Sequence, residues 1–399
     1  MSLLVSHATS MGEPSWWSAR KAALTVRGPG STCHLPLGDA SGRTLAADVS
    51  ALVDLPGFAT AAMDGWVVAG EGPWSIVGTI DTGTPADTRL VPGQAMRIAT
   101  GGLIPDGASA VIPWEVSDVV GDTVVGEIPG KVHIRPPGEE CVRGDQLAQR
   151  GDTLAPALVG LLAAAGVDDV EVFVPPSVCV LVLGDEVVTS GVPGPGQVRD
   201  ALGIQLPGWI QALGGDVATV RNVADDQRAL VTALRDGVSS HDLVIATGGT
   251  ARGHRDFLRT ALDECGCEFL VDGVAARPGH PMMLARCGNT PVVGLPGNPL
   301  SALVAVVTLV APVVDAWLGR ADRELPQVHM AQAIAPARKE LTRLMVGRRE
   351  LGGFREVSHV SSAMLRGIAH ADGWAVVPAS GVEAGEVVPW IPLPWARRG

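Results

Sequence analysis

From about residue 176 to residue 320, short apolar runs alternate with stretches whose apolar positions recur at helical spacing. "SVCVLVLG", "VATVRNV", "DLVIATGG" and "PVVGLP" read as strands. "ALGIQLPGWIQALGGDV", "DDQRALVTALRDGV", "FLRTALDE" and the run beginning at Pro299 read as helices. Strands alternating with helices predict a parallel sheet covered on both faces. In such sheets ligands collect beyond the carboxyl ends of the strands. Those ends carry "LGDEV", "IATGGTARGHRD" and "GLPGNP", so glycines, acids and helix starts converge on one rim.

The pattern differs elsewhere. Residues 15–50 predict a short helix in "WWSARKAALTV", an extended piece, and a second helical start in "LGDASGRTLAADV". Short strands separated by turns run from about 55 to 145. A helix follows in 150–170, opened by a Thr cap and a proline and closed by Gly166. Residues 325–399 are strand-like and become Pro-rich. The expected fold class is therefore multidomain α/β plus β. A linker domain (15–54 and 146–175) carries an inserted β-rich domain (55–145), followed by an α/β domain (176–324) and a small C-terminal β domain (325–399).

The stretch "VVGLPGNPLSALVAVVTLV" sharpens the picture at one strand end. Val292 and Val293 close a strand, and Gly294 and Gly297 allow a sharp turn. Asn298 suits a cap and Pro299 a first helical turn. A helix starting this way turns N–H groups and the positive end of its dipole toward the loop, which predicts an anion site. A rigid capped turn with no ligand is the alternative. The run Leu300–Val314 is uncharged but short for a membrane span and contains Pro312, so a buried helix is expected.

Composition narrows the classes. At 399 residues the chain exceeds one ordinary core. Its 50 glycines and 30 prolines are spread along the chain and imply many tight turns rather than a disordered tail. A net charge of −12 argues against nucleic-acid binding, which depends on neutralising phosphates. The six cysteines include the "ECGCE" pair but show no zinc-ribbon spacing, so separate reduced thiols are expected. No basic-then-apolar leader opens the sequence, and a cytoplasmic protein is expected.

The strings "LPGFATAAMDGWVV" (55–68), "RIATGGLIPDGASAVIPWE" (97–115), "IRPPGEECVRGDQLAQRGDTLAP" (134–156), "VLGDEV", "DLVIATGGTARGHRDF", "VAARPGHPMMLA", "VVGLPGNPLSALV" and "SSAMLRGIAHADGWAVVP" (361–378) follow one another in a specific order and spacing. In that order the chain resembles the MoeA-type molybdopterin molybdenumtransferases, also found as the C-terminal domain of gephyrin, from about Trp17 to Pro394. The resemblance implies an elongated homodimer and a molybdopterin-binding α/β domain. It implies a reaction in which molybdenum from molybdate enters adenylated molybdopterin with Mg²⁺, releasing AMP. The implied partners are anionic small molecules, a second copy of the chain and the adenylyltransferase that makes the substrate, with neither nucleic acid nor membrane.

Residue by residue, the resemblance marks Asp64, Glu186, Asp200 and Asp256 as catalytic acids. Asp185, Glu186 and Asp256 are the candidate Mg²⁺ ligands, since adjacent carboxylates at a strand end suit a hard cation. Asp64, in the turn of "AMDGWVV", and Thr100, in "IATGG", would lie where the β-rich domain of one subunit meets the α/β domain of the other. Gly248, Gly249, Thr250, Pro296, Gly297 and Asn298 would approach the ligand. Arg277 and His280 stand where the family usually has two lysines and would face oxyanions, along with Ser301 and Arg348. The chain departs from the family pattern in Val182-Leu183, in Ala201-Leu202 after Asp200, in "GGTARG" and in Gly138-Glu139-Glu140. A non-catalytic molybdopterin-binding paralogue is the alternative that these changes favour.

Overall fold

The computed structural model describes residues 13–84, 89–128, 130–250, 257–320, 324–337 and 339–395. Two compact units form, one from residues 34–172 and one from residues 1–33 and 173–399.

The 34–172 unit is built on a six-stranded sheet in the order Ala110–Pro113, Gly65–Val68, Gln94–Ile98, Trp74–Ile80, Thr123–Gly126, Ser117–Val120. Consecutive strand residues point to opposite faces. Val67 accordingly packs with Met96, Ile98 and Val111, while Val68 packs with Trp74, Ala95 and Ile112. Covering both faces makes this unit self-sufficient. The predicted second helix is only the short turn Leu37–Asp39, because the chain bends at Gly42 and then pairs Thr44 with Thr153. That pairing also removes Thr153 from the expected cap. The helix Pro156–Ala164 opens on Ala155 with no side-chain cap, although its proline and the positive-φ Gly166 stand as read.

In the second unit the main sheet runs Asp216–Val223, Ser177–Leu183, Leu243–Thr247, Thr290–Leu295, Met283–Cys287, Glu268–Asp272. The first four strands are parallel, as predicted, and the last two pair antiparallel. Periodicity missed that addition because the positive-φ Gly288 lets Cys287 and Thr290 face each other in a tight hairpin, with no helical crossover. Leu181, Val244 and Val292 from the sheet bury against Leu230, Leu234, Leu258 and Leu262 from the helices Gln227–Ser240 and Phe257–Glu264.

The antiparallel register also corrects the thiol expectation. Glu268 pairs with Arg286, so Cys267 and Cys287 become neighbours, and the structure joins them in a disulfide with Cα atoms 4.3 Å apart. Cys33, Cys141, Cys179 and Cys265 are free.

The apolar helical run Pro299–Trp317 is 19 residues long, enough to cross a membrane by length and composition. It is longer than expected because a π turn, Val306–Val310, carries the helix through to Pro312. Its most apolar window is 89% buried within the protein, as a core helix would be. Its buried Thr308 hydroxyl is paired: Oγ1 accepts from Trp16 Nε1 (2.9 Å) and donates to the Val304 carbonyl (2.6 Å).

The C-terminal β domain is present as read. Its sheet runs Ala276–Arg277, Thr342–Glu350, Gly373–Val377, Val387–Pro392, Gln327–His329 around Met345, Phe354, Val377 and Trp390. One edge strand, Ala276–Arg277, comes from before the core helix.

Candidate active site

The carboxyl ends of Ser177–Leu183, Leu243–Thr247 and Thr290–Leu295 border a cleft of about 810 Å³. Gly248 and Gly249 leave the second of these strands with φ of +88° and +63°, a conformation that residues with a Cβ rarely adopt. The Gly248 N–H donates to the Leu295 carbonyl (2.8 Å), holding this turn beside the Pro296-Gly297-Asn298 turn. Thr250 is buried, and a Cβ at Gly294 would come within 2.9 Å of Leu258 Cδ2 and 3.1 Å of the Thr250 methyl. All six of these residues, which the sequence marks as approaching a ligand, line the cleft.

Glu186 reaches the cleft from the first strand end. Its carbonyl accepts from Val198 N (2.9 Å), where the short ladder of Val187–Val188 and Val198–Arg199 begins. Gly184, at φ +124°, lies under the Glu186 carboxylate, and an added Cβ would come within 2.9 Å of Oε2.

Asp200 follows that ladder and is buried. Its N–H donates to the Val188 carbonyl (2.9 Å), and its Oδ1 accepts from Gly203 N (2.8 Å). One carboxylate oxygen therefore caps the helix Leu202–Leu213 while the residue also lines the cleft. Gly203 is required here, because a Cβ would overlap Asp200 Oδ2.

Two charged lining residues escaped the sequence reading. Arg199 donates from Nη1 to the Val188 carbonyl (3.1 Å), and its adjacency to Asp200 was the only signal for it. Asp225 lines the cleft too, and its N–H donates to Asp185 Oδ1 (3.2 Å). Asp185, a predicted metal ligand, is thus engaged with the Asp225 backbone and is not part of the cleft lining. Asp256 lies outside the described residues.

Several anticipated contacts fall elsewhere. The expected anion site at the core helix is closed: the Leu300 and Ser301 N–H groups both donate to the Ser362 carbonyl (2.9 and 3.2 Å). Pro299 has no N–H, and the Ala302 N–H goes to the Asn298 carbonyl. Asn298 stands at the cap position, but its side chain makes no capping bond. Ser301 is buried in the helix and does not line the cleft. Neither do Arg277 and His280; the His280 Nε2 atom lies 2.8 Å from Glu13 Oε1. Arg348, also outside the cleft lining, donates from Nε to the His370 carbonyl.

In the 34–172 unit the structure brings Asp64 and Thr100 together. Asp64 Oδ1 accepts from both Thr100 N (2.6 Å) and Thr100 Oγ1 (2.8 Å). Those bonds, the backbone one foremost, hold the Asp64 carboxyl below the usual carboxylate range. Asp64 lies in the turn between the strands Thr60–Ala61 and Gly65–Val68. Gly65 fixes it there, since a Cβ would overlap the Ile112 carbonyl.

The hard oxygens of Glu186, Asp200 and Asp225 are the donor type that Mg²⁺ prefers. Among the described residues no group of three His, Cys, Asp or Glu side chains could hold a metal by itself. That arrangement fits a Mg²⁺ held by one or two carboxylates together with ligand phosphate oxygens.

Comparison with known proteins agrees along the chain. Residues 16–166 match the MoeA N-terminal region (domain I and II), residues 179–316 the probable molybdopterin binding domain and residues 330–393 the MoeA C-terminal region (domain IV). Molybdopterin molybdenumtransferase 2 of Mycobacterium tuberculosis is 31% identical over 373 residues, covering 88% of this chain and 91% of the relative. The molybdopterin molybdenumtransferase of Haemophilus influenzae is 31% identical over 79% of this chain and 80% of its own length. A solved molybdopterin biosynthesis MoeA protein of Pyrococcus horikoshii superposes with a TM-score of 0.76 at 26% identity, covering 96% of this chain and 99% of that one. With all three regions matched in order and a relative aligned over nine-tenths of its length, the chain belongs to the MoeA family of molybdopterin molybdenumtransferases.

Proposed function

We propose that this chain completes the molybdenum cofactor by inserting molybdenum from molybdate into adenylated molybdopterin, with release of AMP. The observation that carries the reading is the cleft itself. Glu186 and Asp200, the Gly248-Gly249 turn and the Pro296-Gly297-Asn298 turn come from three separate strand ends and line one opening at the carboxyl edge of the sheet. That edge lies in the region matching the probable molybdopterin binding domain.

In this reading the glycine turn lets ligand atoms approach the backbone closely, and Glu186 and Asp200 position the adenylate phosphate. Glu186 would hold Mg²⁺ together with phosphate oxygens, and the ion would neutralise charge on the departing AMP. No nucleophilic side chain is needed. Asp64 and Thr100 act as a paired acceptor and donor, contributed to the site within a cytoplasmic homodimer.

Purified protein incubated with molybdopterin adenylate, Mg²⁺ and molybdate should release AMP in step with the appearance of protein-bound molybdenum. A second reading, a binder that stores or hands on the cofactor, draws on Arg277, His280 and Arg348 standing outside the cleft lining. Tight molybdopterin binding with neither product would establish that reading and overturn the transferase.

A further inference from the structure

We propose that the cleft holds its ligand in one orientation, with the phosphate against Arg199 and the hydrogen-bonding edge of the pterin against the Asn298 carboxamide. The inference rests on the molybdopterin reading above and adds which end of the ligand goes where.

Three observations leave the first turn of the helix after Asn298 without a free amide for the phosphate. The Leu300 and Ser301 amides already share the Ser362 carbonyl. Pro299 has no donor, and the Ala302 amide bonds the Asn298 carbonyl. A phosphate placed there would meet no amide donor on the first helical turn.

At the far side of the cleft the electrostatics differ. Glu186, Asp200 and Asp225 line it, so a phosphate held there needs a cation to offset their charge. Arg199 is the one lysine or arginine among the described lining residues. The Val188 carbonyl accepts from both Asp200 N and Arg199 Nη1, so the guanidinium is anchored at the same point as the buried acid beside it. An arginine has five donors in a rigid planar fork. With Nη1 anchored, the rest of the fork can meet a tetrahedral oxyanion with two parallel bonds.

Asn298 supplies the complement. Its side chain makes no capping bond although it stands at the cap position, and it lines the cleft. A carboxamide offers one acceptor and two donors, which matches the adjacent carbonyl, N–H and amino groups of a pterin. Asn298 follows the end of Thr290–Leu295, and the loop carrying Arg199 leaves the end of Ser177–Leu183, two strands away across Leu243–Thr247.

The test is equilibrium binding of molybdopterin to the full-length chain, with inorganic phosphate as competitor and NaCl varied. Arg199→Ala should weaken binding roughly ten- to hundredfold, the range for losing a charge-assisted pair, and should flatten the salt dependence. It should also abolish competition by phosphate. Arg199→Lys keeps the charge and should recover part of the affinity. Asn298→Ala should weaken molybdopterin binding while phosphate continues to compete. Equal affinity and salt dependence for the unaltered protein and Arg199→Ala would overturn the orientation alone. Loss of phosphate competition in Asn298→Ala but not in Arg199→Ala would reverse it. Failure of the unaltered protein to bind molybdopterin would overturn the functional reading, and the orientation with it.

Discussion

Asp64 and Thr100, 36 positions apart, share one oxygen: Asp64 Oδ1 receives both the backbone N–H and the hydroxyl of Thr100. Two donors on a carboxylate favour its charged form. The Asp64 carboxyl therefore titrates below its usual range, and the stabilisation linked to it is complete above the ordinary carboxylate pKa. It is lost as the pH falls through the lowered folded-state value. Thr100→Val removes the hydroxyl bond and leaves the backbone one. The Asp64 pKa followed by carboxyl-carbon NMR should rise in that variant without reaching the unperturbed value. No change would mean that the hydroxyl bond does not form in solution.

Asp200 serves two ends at once, a helix cap and a cleft wall, and two substitutions separate them. Asp200→Ala removes the Gly203 cap and should cost about 1 kcal/mol in denaturant unfolding. Asp200→Asn keeps an acceptor oxygen, so its stability should stay close to that of the unaltered chain while AMP release falls. Loss of stability in both variants would show that the charge itself holds the helix.

Among the described residues it is the Glu186 carbonyl, not its carboxylate, that joins the short ladder. Glu186→Gln should fold normally by circular dichroism and thermal melting, yet lose molybdenum insertion by tenfold or more, about 1.4 kcal/mol or greater in barrier terms. Full activity in this variant would remove Glu186 from the proposed chemistry.

The core helix offers a prediction about folding alone. Thr308→Val strands the buried Trp16 Nε1 without an acceptor, which should cost roughly 1–3 kcal/mol. Thr308→Ser retains both hydroxyl bonds and should recover most of that loss in urea titration. Equal stability of all three proteins would mean that another acceptor reaches Trp16.

Sequence periodicity located the parallel strands and their helices because strands such as Ser177–Leu183 are unbroken apolar runs and helices such as Gln227–Ser240 are apolar along one face. The strand-end motifs were legible for the same reason: Gly248, Gly249 and Gly297 follow directly from strands whose ends share one edge. What stayed hidden depends on partners distant in the chain. Neither the Cys267–Cys287 neighbourhood nor the antiparallel pair that creates it can be read until the Gly288 hairpin is known. Arg277, His280 and Arg348 were the expected oxyanion partners, and only packing shows that Arg199 lines the cleft and they do not. The helix start misled for a different reason. Its cap and proline stand where expected, but the acceptor that fills its amides comes from Ser362, 62 positions after Leu300 and 61 after Ser301.

That same Ser362 carbonyl makes the C-terminal region part of the pterin-type domain's own wiring. The next residue, Ala363, stands in the cleft wall. A fragment ending near residue 324 would contain every strand and helix of the sheet, yet it would expose two amides at the head of its central apolar helix and open one side of its pocket. Such a fragment should attract phosphate or sulfate at that helix, an affinity that the whole chain conceals. Shuffling domains between relatives would then have to carry the 358–370 segment together with the sheet domain, because the boundary drawn by sequence matching cuts through a single hydrogen-bonded joint.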